Sequence, residues 1–426
     1  MRRSEKRFGR LAATLLGVLV GPVGASAEPA GVWWEKTPPS IEEISGGKLH
    51  VGDRITKDNV ENVKDYMPEA FYRDTLNGAE WEISPTTAGN RLVIPDMVAA
   101  TKANLGKAVV DQAGTVVTAD GKPWIGGFPF PEPKTGLEVM VNRQFKSLDG
   151  HFDYWKSYWV NANGETYKNT IGNVMAMNTT ARVCQEPKPY MPGYENQLSR
   201  ELVLFLDPYD VKGLSVLTAI YVDQTRYPDA WGYIPVLRRV QRFSSGQRYD
   251  SIDGSDLRAG DLDAFSDPLG IWEFKLLGRK PMFAVLTGAQ TQSGAIPVEQ
   301  DHPLLNGRYP QGARVELRDT YIVEAVPKDP THIYSRKVLF LDAATFWSWL
   351  GQFYDRQGEL WMGYSLWFRG LSNECGNFPA ATWVSIQNYQ TGSATLFSLE
   401  HYWRNPGLSM MYPEMFTLKY IMGQGR

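Results

Sequence analysis

The stretch Gly213-Leu214-Ser215-Val216-Leu217-Thr218-Ala219-Ile220-Tyr221-Val222-Asp223 is apolar on both of its parities. Read as a strand, it places Leu214, Val216, Ile220 and Val222 on one face and Leu217, Ala219 and Tyr221 on the other. A strand with one wet face alternates. This one does not, so neither face should meet bulk water. Two architectures meet that condition. One covers one face with a helix and the other with a second sheet. The other is a curved sheet whose helices plug an apolar cavity. The strand alone leaves both open.

Further strand-like runs surround it: 153–162, 166–178, 200–207, 229–243, 270–276, 281–288, 313–326, 335–341, 359–369, 381–390 and 394–404. Asp207-Pro208-Tyr209-Asp210 and Asp355-Arg356-Gln357-Gly358 are turn signals between them. Successive strands joined by short turns predict an antiparallel meander. Phe346–Phe353 reads as a short helix or a loop plug. Upstream, residues 28–55 look irregular. Thr56-Lys57-Asp58-Asn59 offers a helix start, with Val60, Val63, Met67 and Phe71 at helical spacing and Pro68 clouding its end. A second helix is expected near Gly136–Phe145. The predicted class is α+β and β-dominated. A helical and irregular segment, 28–150, packs on a curved antiparallel β domain, 151–426, the two together forming one unit.

Asp229–Phe243 (D-A-W-G-Y-I-P-V-L-R-R-V-Q-R-F) puts Trp231 and Tyr233 on one strand parity, and Pro235 interrupts it. Arg238, Arg239 and Arg242 follow, then an acidic run with Asp250, Asp253, Asp256 and Asp261. The arginines suit an anionic group or an acidic partner. Pairing with the acids just downstream is the favoured alternative. The acidic run lacks the ligand spacing and terminal Glu of an EF-hand.

Arg2, Arg3, Lys6, Arg7 and Arg10 precede the uncharged 11–24 run and Ala25-Ser26-Ala27, the pattern of an export leader cleaved after Ala27. An uncleaved anchor is the lesser alternative, because the apolar run is short. No cysteine stands at the cleavage site, so a lipid-anchored product is not expected. The whole chain carries a net charge of −3, and removing the basic leader leaves about −7, which argues against nucleic acid. Cys184 and Cys375 lie in Pro/Gly-bearing loops; in an oxidising compartment they either pair or remain two thiols. The five histidines are scattered, no G-x-S-x-G elbow is present, and neighbouring Glu400 and His401 point to opposite strand faces. No catalytic residue, metal site or cofactor is expected.

The Asp229–Phe265 region resembles the signature of the outer-membrane lipoprotein-sorting (LolA/LolB-like) superfamily of lipid carriers. There, a tryptophan-tyrosine-leucine-proline strand leads through arginines into a G-S-D segment. The wider match is to a periplasmic family known as domain of unknown function 1329. It takes in Gly126-Gly127-Phe128-Pro129-Phe130-Pro131, Asn142-Arg143, Leu206-Asp207-Pro208-Tyr209, and Trp272-Glu273-Phe274-Lys275. Gly232 departs from the pattern, standing where the carriers have a bulky apolar residue. The resemblance implies a half-open barrel with helices plugging an apolar cavity. It also implies a soluble carrier in the Gram-negative periplasm for a lipid or other hydrophobic cargo, working with an inner-membrane exporter and an outer-membrane protein and not spanning the membrane. Trp231, Tyr233, Leu217, Tyr221, Trp272 and Phe274 are the expected cavity residues. The rival expectations are a periplasmic enzyme on a hydrophobic substrate and a scaffold that carries nothing.

Overall fold

Apolar runs punctuated by tight turns give nineteen strands among the described residues. The computed structural model describes residues 38–145, 149–292, 304–404, 407 and 411–424. The expected leader and cleavage site, within residues 1–27, lie outside them. The strands are β1 Arg54–Ile55, β2 Trp81–Ile83, β3 Ala108–Val110, β4 Val116–Thr118, β5 Gly150–Val160, β6 Thr166–Asn178, β7 Gln197–Asp207, β8 Ser215–Tyr221, β9 Asp229–Ile234 and β10 Arg239–Phe243. They continue as β11 Trp272–Gln292, β12 Leu304–Leu305, β13 Tyr309–Pro310, β14 Arg314–Pro327, β15 Arg336–Asp342, β16 Ser348–Tyr354, β17 Leu360–Asn373, β18 Gly376–Asn388 and β19 Ala394–Arg404. The helices are α1 Ile41–Ser45, α2 Glu69–Leu76, α3 Pro95–Ala103, α4 Gly136–Gln144 and α5 Leu418–Gln424.

Fifteen strands form one sheet, in the order β1-β2-β14-β15-β16-β17-β18-β19-β5-β6-β7-β8-β9-β10, with β11 off this path. The expected meander is its main part, but two pairings are parallel, β2 with β14 and the end of β11 with β17. The first part of β11 pairs with β14 antiparallel, so β11-β14-β15-β16-β17 closes on itself. That circuit forces the sheet to curve. The other limb, through β5 to β10, stays open. The result is a half-open barrel, β-dominated as expected.

Several elements differ from the sequence reading for physical reasons. Residues 229–243 form a hairpin, not one strand. Pro235 starts a short 3-10 turn, Pro235–Leu237, and Arg238 takes a left-handed conformation at φ 48°. Phe346–Phe353 is neither helix nor plug. Its core is β16, and every residue of that strand is buried. The runs 270–276 and 281–288 are one strand, β11, with an irregularity between Leu276 and Gly278. Pro68 ends the 3-10 helix Val60–Tyr66 and opens α2. The stretch expected to be irregular contains α1, begun by a reciprocal Ser40/Glu43 cap.

Helix α4 has the same kind of cap, Thr135 with Glu138. Its first residue must be small: a Cβ on Gly136 would stand 2.8–2.9 Å from the β11 backbone at Lys275 and Leu276. Asn142 accepts from Phe130 N–H (3.0 Å) and donates to the Phe130 carbonyl, clamping the Gly-Gly-Phe-Pro-Phe loop. Buried Arg143 donates to Ser348 Oγ (2.8 Å) and to the Asp263 carbonyl (2.7 Å). The motif Asn142-Arg143 thus ties that loop, the sheet and the β10–β11 connection together.

Candidate apolar binding face

Cross-strand register sorts the open limb into two faces. On one face, Leu399, Trp155, Gly172 and Phe205 form a row across β19, β5, β6 and β7. The next row is Asp153, Val174, Val203, Val216 and Gly232. A third runs His151, Ala176, Glu201, Thr218, Ala230 and Phe243. Val174, Val203, Phe205, Val216, Phe243 and Leu399 are half-buried, so this apolar surface still meets solvent. Two glycines shape it. The indole of Trp155 lies over Gly172 and packs edge-on against Phe205 (5.3 Å) and Phe397 (5.7 Å). The ring of Phe243 lies over Gly232, where an added Cβ would meet it at 2.5 Å. Gly232 departs from the carriers' bulky residue because the Phe243 ring fills that space.

One border of the face is polar. His151 Nε2 stands 3.9 Å from buried Asp153, and Glu201 is its cross-strand neighbour beyond Ala176. Further round, the same face is closed. Its register continues through Thr395, Ile386, Tyr364 and Gly351 to Leu339, and Lys337 lies two residues along β15 on the same face. Lys337 Nζ lies 2.7 Å from Asp261 Oδ1 and 4.5–5.7 Å from the rings of Phe353, Tyr334, Trp272, Phe265 and Tyr249. Tyr334 donates to Asp261 Oδ2 (2.6 Å), and Tyr249 to Asp267. Burial, reinforced by those carboxylates, raises both phenols well above their usual range. Burial and then the Lys337 charge lower His332, whose ring packs edge-on against Tyr249 and Trp272. This box anchors the β10–β11 connection beside the open part of the face.

The opposite face of the open limb is covered. Met175, Leu202, Leu217 and Tyr233 pack with Met411, Met415, Phe416 and Ile421 from the C-terminal segment. Arg200 Nη1 donates to the Phe416 carbonyl (2.5 Å), which fixes that segment in place.

The family model described as "Protein of unknown function (DUF1329)" matches residues 54–417. The chain belongs to the DUF1329 family. No curated protein matches this DUF1329 chain. Among solved structures it is similar to a putative outer membrane lipoprotein-sorting protein domain from Vibrio parahaemolyticus (19% identity, 67% of this chain and 98% of that one, TM-score 0.48). It is similar to a DUF1329 family protein from Desulfovibrio piger ATCC 29098 (18%, 67% and 97%, TM-score 0.47). It is also similar to a LolA superfamily protein from Nitrosomonas europaea (13%, 68% and 100%, TM-score 0.40). The DUF1329 match spans every strand of the open limb and reaches into the segment that covers it.

The six residues expected at one cavity fall in three places in this DUF1329 chain. Leu217, Trp231 and Tyr233 lie on the covered face, against the C-terminal segment. Tyr221 lies at the edge of that face and donates to Asp229 (2.7 Å), with Arg226 over its ring. Trp272 and Phe274 belong to the Lys337 box or its rim, both packed on Phe265. Arg242 pairs with Asp229, not with the downstream acids. Three of those acids are engaged elsewhere: Asp253 with Lys168, Asp256 with Asn388 and Ser393, and Asp261 with Lys337. Arg238 and Arg239 are exposed at the β9–β10 turn. Cys184 and Cys375 are disulfide-bonded, with Cα atoms 5.8 Å apart. The Asp149 carboxylate holds the Cys184 loop through the N–H groups of Val183, Cys184 and Gln185. The side chains of Glu400 and His401 lie outside the described residues. Among the described residues no three His, Cys, Asp or Glu side chains stand close enough to hold a metal, and no helix is long and apolar enough to cross a membrane. The reading of the sequence missed Trp155, Phe205, Val203 and Val216. The signal was present in the Leu214, Val216, Ile220 and Val222 parity of residues 213–223.

Proposed function

We propose that this protein carries a lipid or another hydrophobic molecule through the periplasm, with the cargo on the face of Trp155, Phe205, Val203 and Val216. One observation carries the reading. The open limb is apolar on both faces, yet the C-terminal segment covers only one of them, among the described residues. A half-exposed apolar surface several strands wide marks a place where something else binds. Each methylene withdrawn from water there contributes about 0.8 kcal/mol, so an acyl chain or fused-ring cargo is held without any directed bond. The border of His151, Asp153 and Glu201 suits the polar end of an amphipathic molecule. The export leader read from residues 1–27 supports the compartment. An inner-membrane exporter and an outer-membrane protein are the partners proposed on either side of the transit.

Native mass spectrometry of protein taken from the osmotic-shock fraction tests the reading. The expected spectrum contains an adduct of lipid-like mass that organic extraction removes. Protein that is always empty, and that binds no apolar fluorescent probe after extraction, would overturn the carrier and favour a scaffold.

A further inference from the structure

Two adjacent turns at one end of the open limb carry side chains that the fold does not use. The β9–β10 turn presents Val236 at 86% exposure and Leu237 at 49%. The β7–β8 turn presents Tyr209 at 92%. The pairing of Ser215 with Tyr233 places the two turns side by side. Both are built rather than loose. Arg238 N–H closes one onto the Pro235 carbonyl (3.0 Å), and Lys212 N–H closes the other onto the Pro208 carbonyl (3.0 Å). A hairpin tip normally carries Asn, Asp or Gly, whose polar or absent side chains suit water. Here two aliphatic residues take that place.

The charge beside them is cationic. Arg226 and Arg242 are engaged by Asp229. Lys212, Arg238 and Arg239 are exposed, and among the described residues none of the three forms an ion pair. Asp207 and Asp210 oppose them on the β7–β8 turn, so cations prevail by one over both turns, on a chain whose net charge is −3.

We infer that these two turns dock the protein on an anionic lipid surface, with Val236, Leu237 and Tyr209 entering the headgroup region and Lys212, Arg238 and Arg239 meeting its phosphates. The shape favours a bilayer over an acidic protein. The apolar side chains stand exposed on the tips of two tight turns, which suits a deformable interface better than a preformed pocket. Tyrosine is an interfacial residue, apolar in its ring and polar at its hydroxyl. Clustered lysine and arginine draw a protein to anionic leaflets. The same end of the sheet carries Phe205, in the row of the candidate face nearest these turns, so docking would set that face at the bilayer. The inference rests on the carrier reading for its purpose but not for its test.

The test is co-sedimentation of the full chain with vesicles of phosphatidylethanolamine and phosphatidylglycerol, against vesicles of phosphatidylcholine alone. The wild-type protein is expected to sediment with the anionic vesicles and to be released by salt. Val236→Asp with Leu237→Asp, and separately Arg238→Glu with Arg239→Glu, are each expected to weaken that association at least about tenfold. Thermal unfolding and binding of an apolar probe in solution should be unchanged in both variants, because these side chains touch neither the core nor the candidate face. A wild-type protein that ignores anionic vesicles, as one that docks only on an acidic protein would, overturns the inference. So does vesicle association that survives both pairs of substitutions. Loss of probe binding in the wild-type protein would sink the carrier reading instead.

Discussion

Lys337→Met is expected to lower the free energy of unfolding by about 3–5 kcal/mol, measured by denaturant unfolding near neutral pH. Lys337 and Asp261 are both fully buried, and the ammonium also donates to the Gly260 carbonyl (3.2 Å). The attraction within the pair offsets the cost of taking both charges out of water. Methionine fills a similar volume among the five rings but leaves the Asp261 carboxylate without its cation. Tyr334 still donates to that carboxylate, which moderates the loss without removing it. Lys337→Met with Asp261→Asn is expected to recover most of the stability, because no buried charge remains. A loss below about 1 kcal/mol in the single variant would contradict this account of the box.

Asp74 gives a large pH effect of opposite kind. It sits in α2, buried, with Tyr389 donating to it at 3.0 Å. Burial raises its carboxyl from the ordinary 3.8 to about 7, against the opposing hydrogen bond from Tyr389. Below about pH 4 the group is protonated in both the folded and the unfolded chain. Between pH 4 and 7 the unfolded chain gives up the proton while the folded protein keeps it. Stability therefore falls through this window, by up to about 4 kcal/mol, and is level above it as far as this group is concerned. Asp74→Asn retains an acceptor for Tyr389 and cannot ionise. The variant is expected to gain on the wild type steadily from pH 4 to pH 7 when the two are unfolded side by side. Parallel curves would show that Asp74 ionises in the folded protein as it does in water.

The β content was legible because most strands alternate or end at strong turn signals. β6 occupies the expected Thr166–Asn178, and α4 begins at the cap that Thr135 and Glu138 form. β16 was not legible: it is buried on both faces, with Ser348, Gly351 and Gln352 among its aromatics, so it shows no two-residue alternation to separate it from a helix. The 229–243 hairpin was hidden because its turn, Pro-Val-Leu-Arg, uses no Gly or Asn. The candidate face was half legible. The two-sided character of residues 213–223 was plain, but which side stays open depends on the C-terminal segment, almost two hundred residues away in the chain. The same distance problem concealed Trp272 and Phe274, whose setting is created by Lys337 on a later strand. Gly232 looked like a departure until its neighbour across the hairpin, Phe243, was seen to lie over it.

The most direct test of the carrier account substitutes adjacent residues of β8 that point to opposite faces. Val216 is half-buried on the open face, and Leu217 is 1% exposed on the covered one. A carboxylate is strongly disfavoured in either apolar setting, but the consequences separate. Leu217→Asp is expected to unfold the protein or cost several kcal/mol of stability. The deciding measurement is the affinity of a polarity-sensitive naphthylamine probe for delipidated Val216→Asp, at a temperature where that variant is shown to be folded. The account predicts a loss of tenfold or more relative to the wild type. Affinity equal to that of the wild type would show that the cargo does not lie on this face.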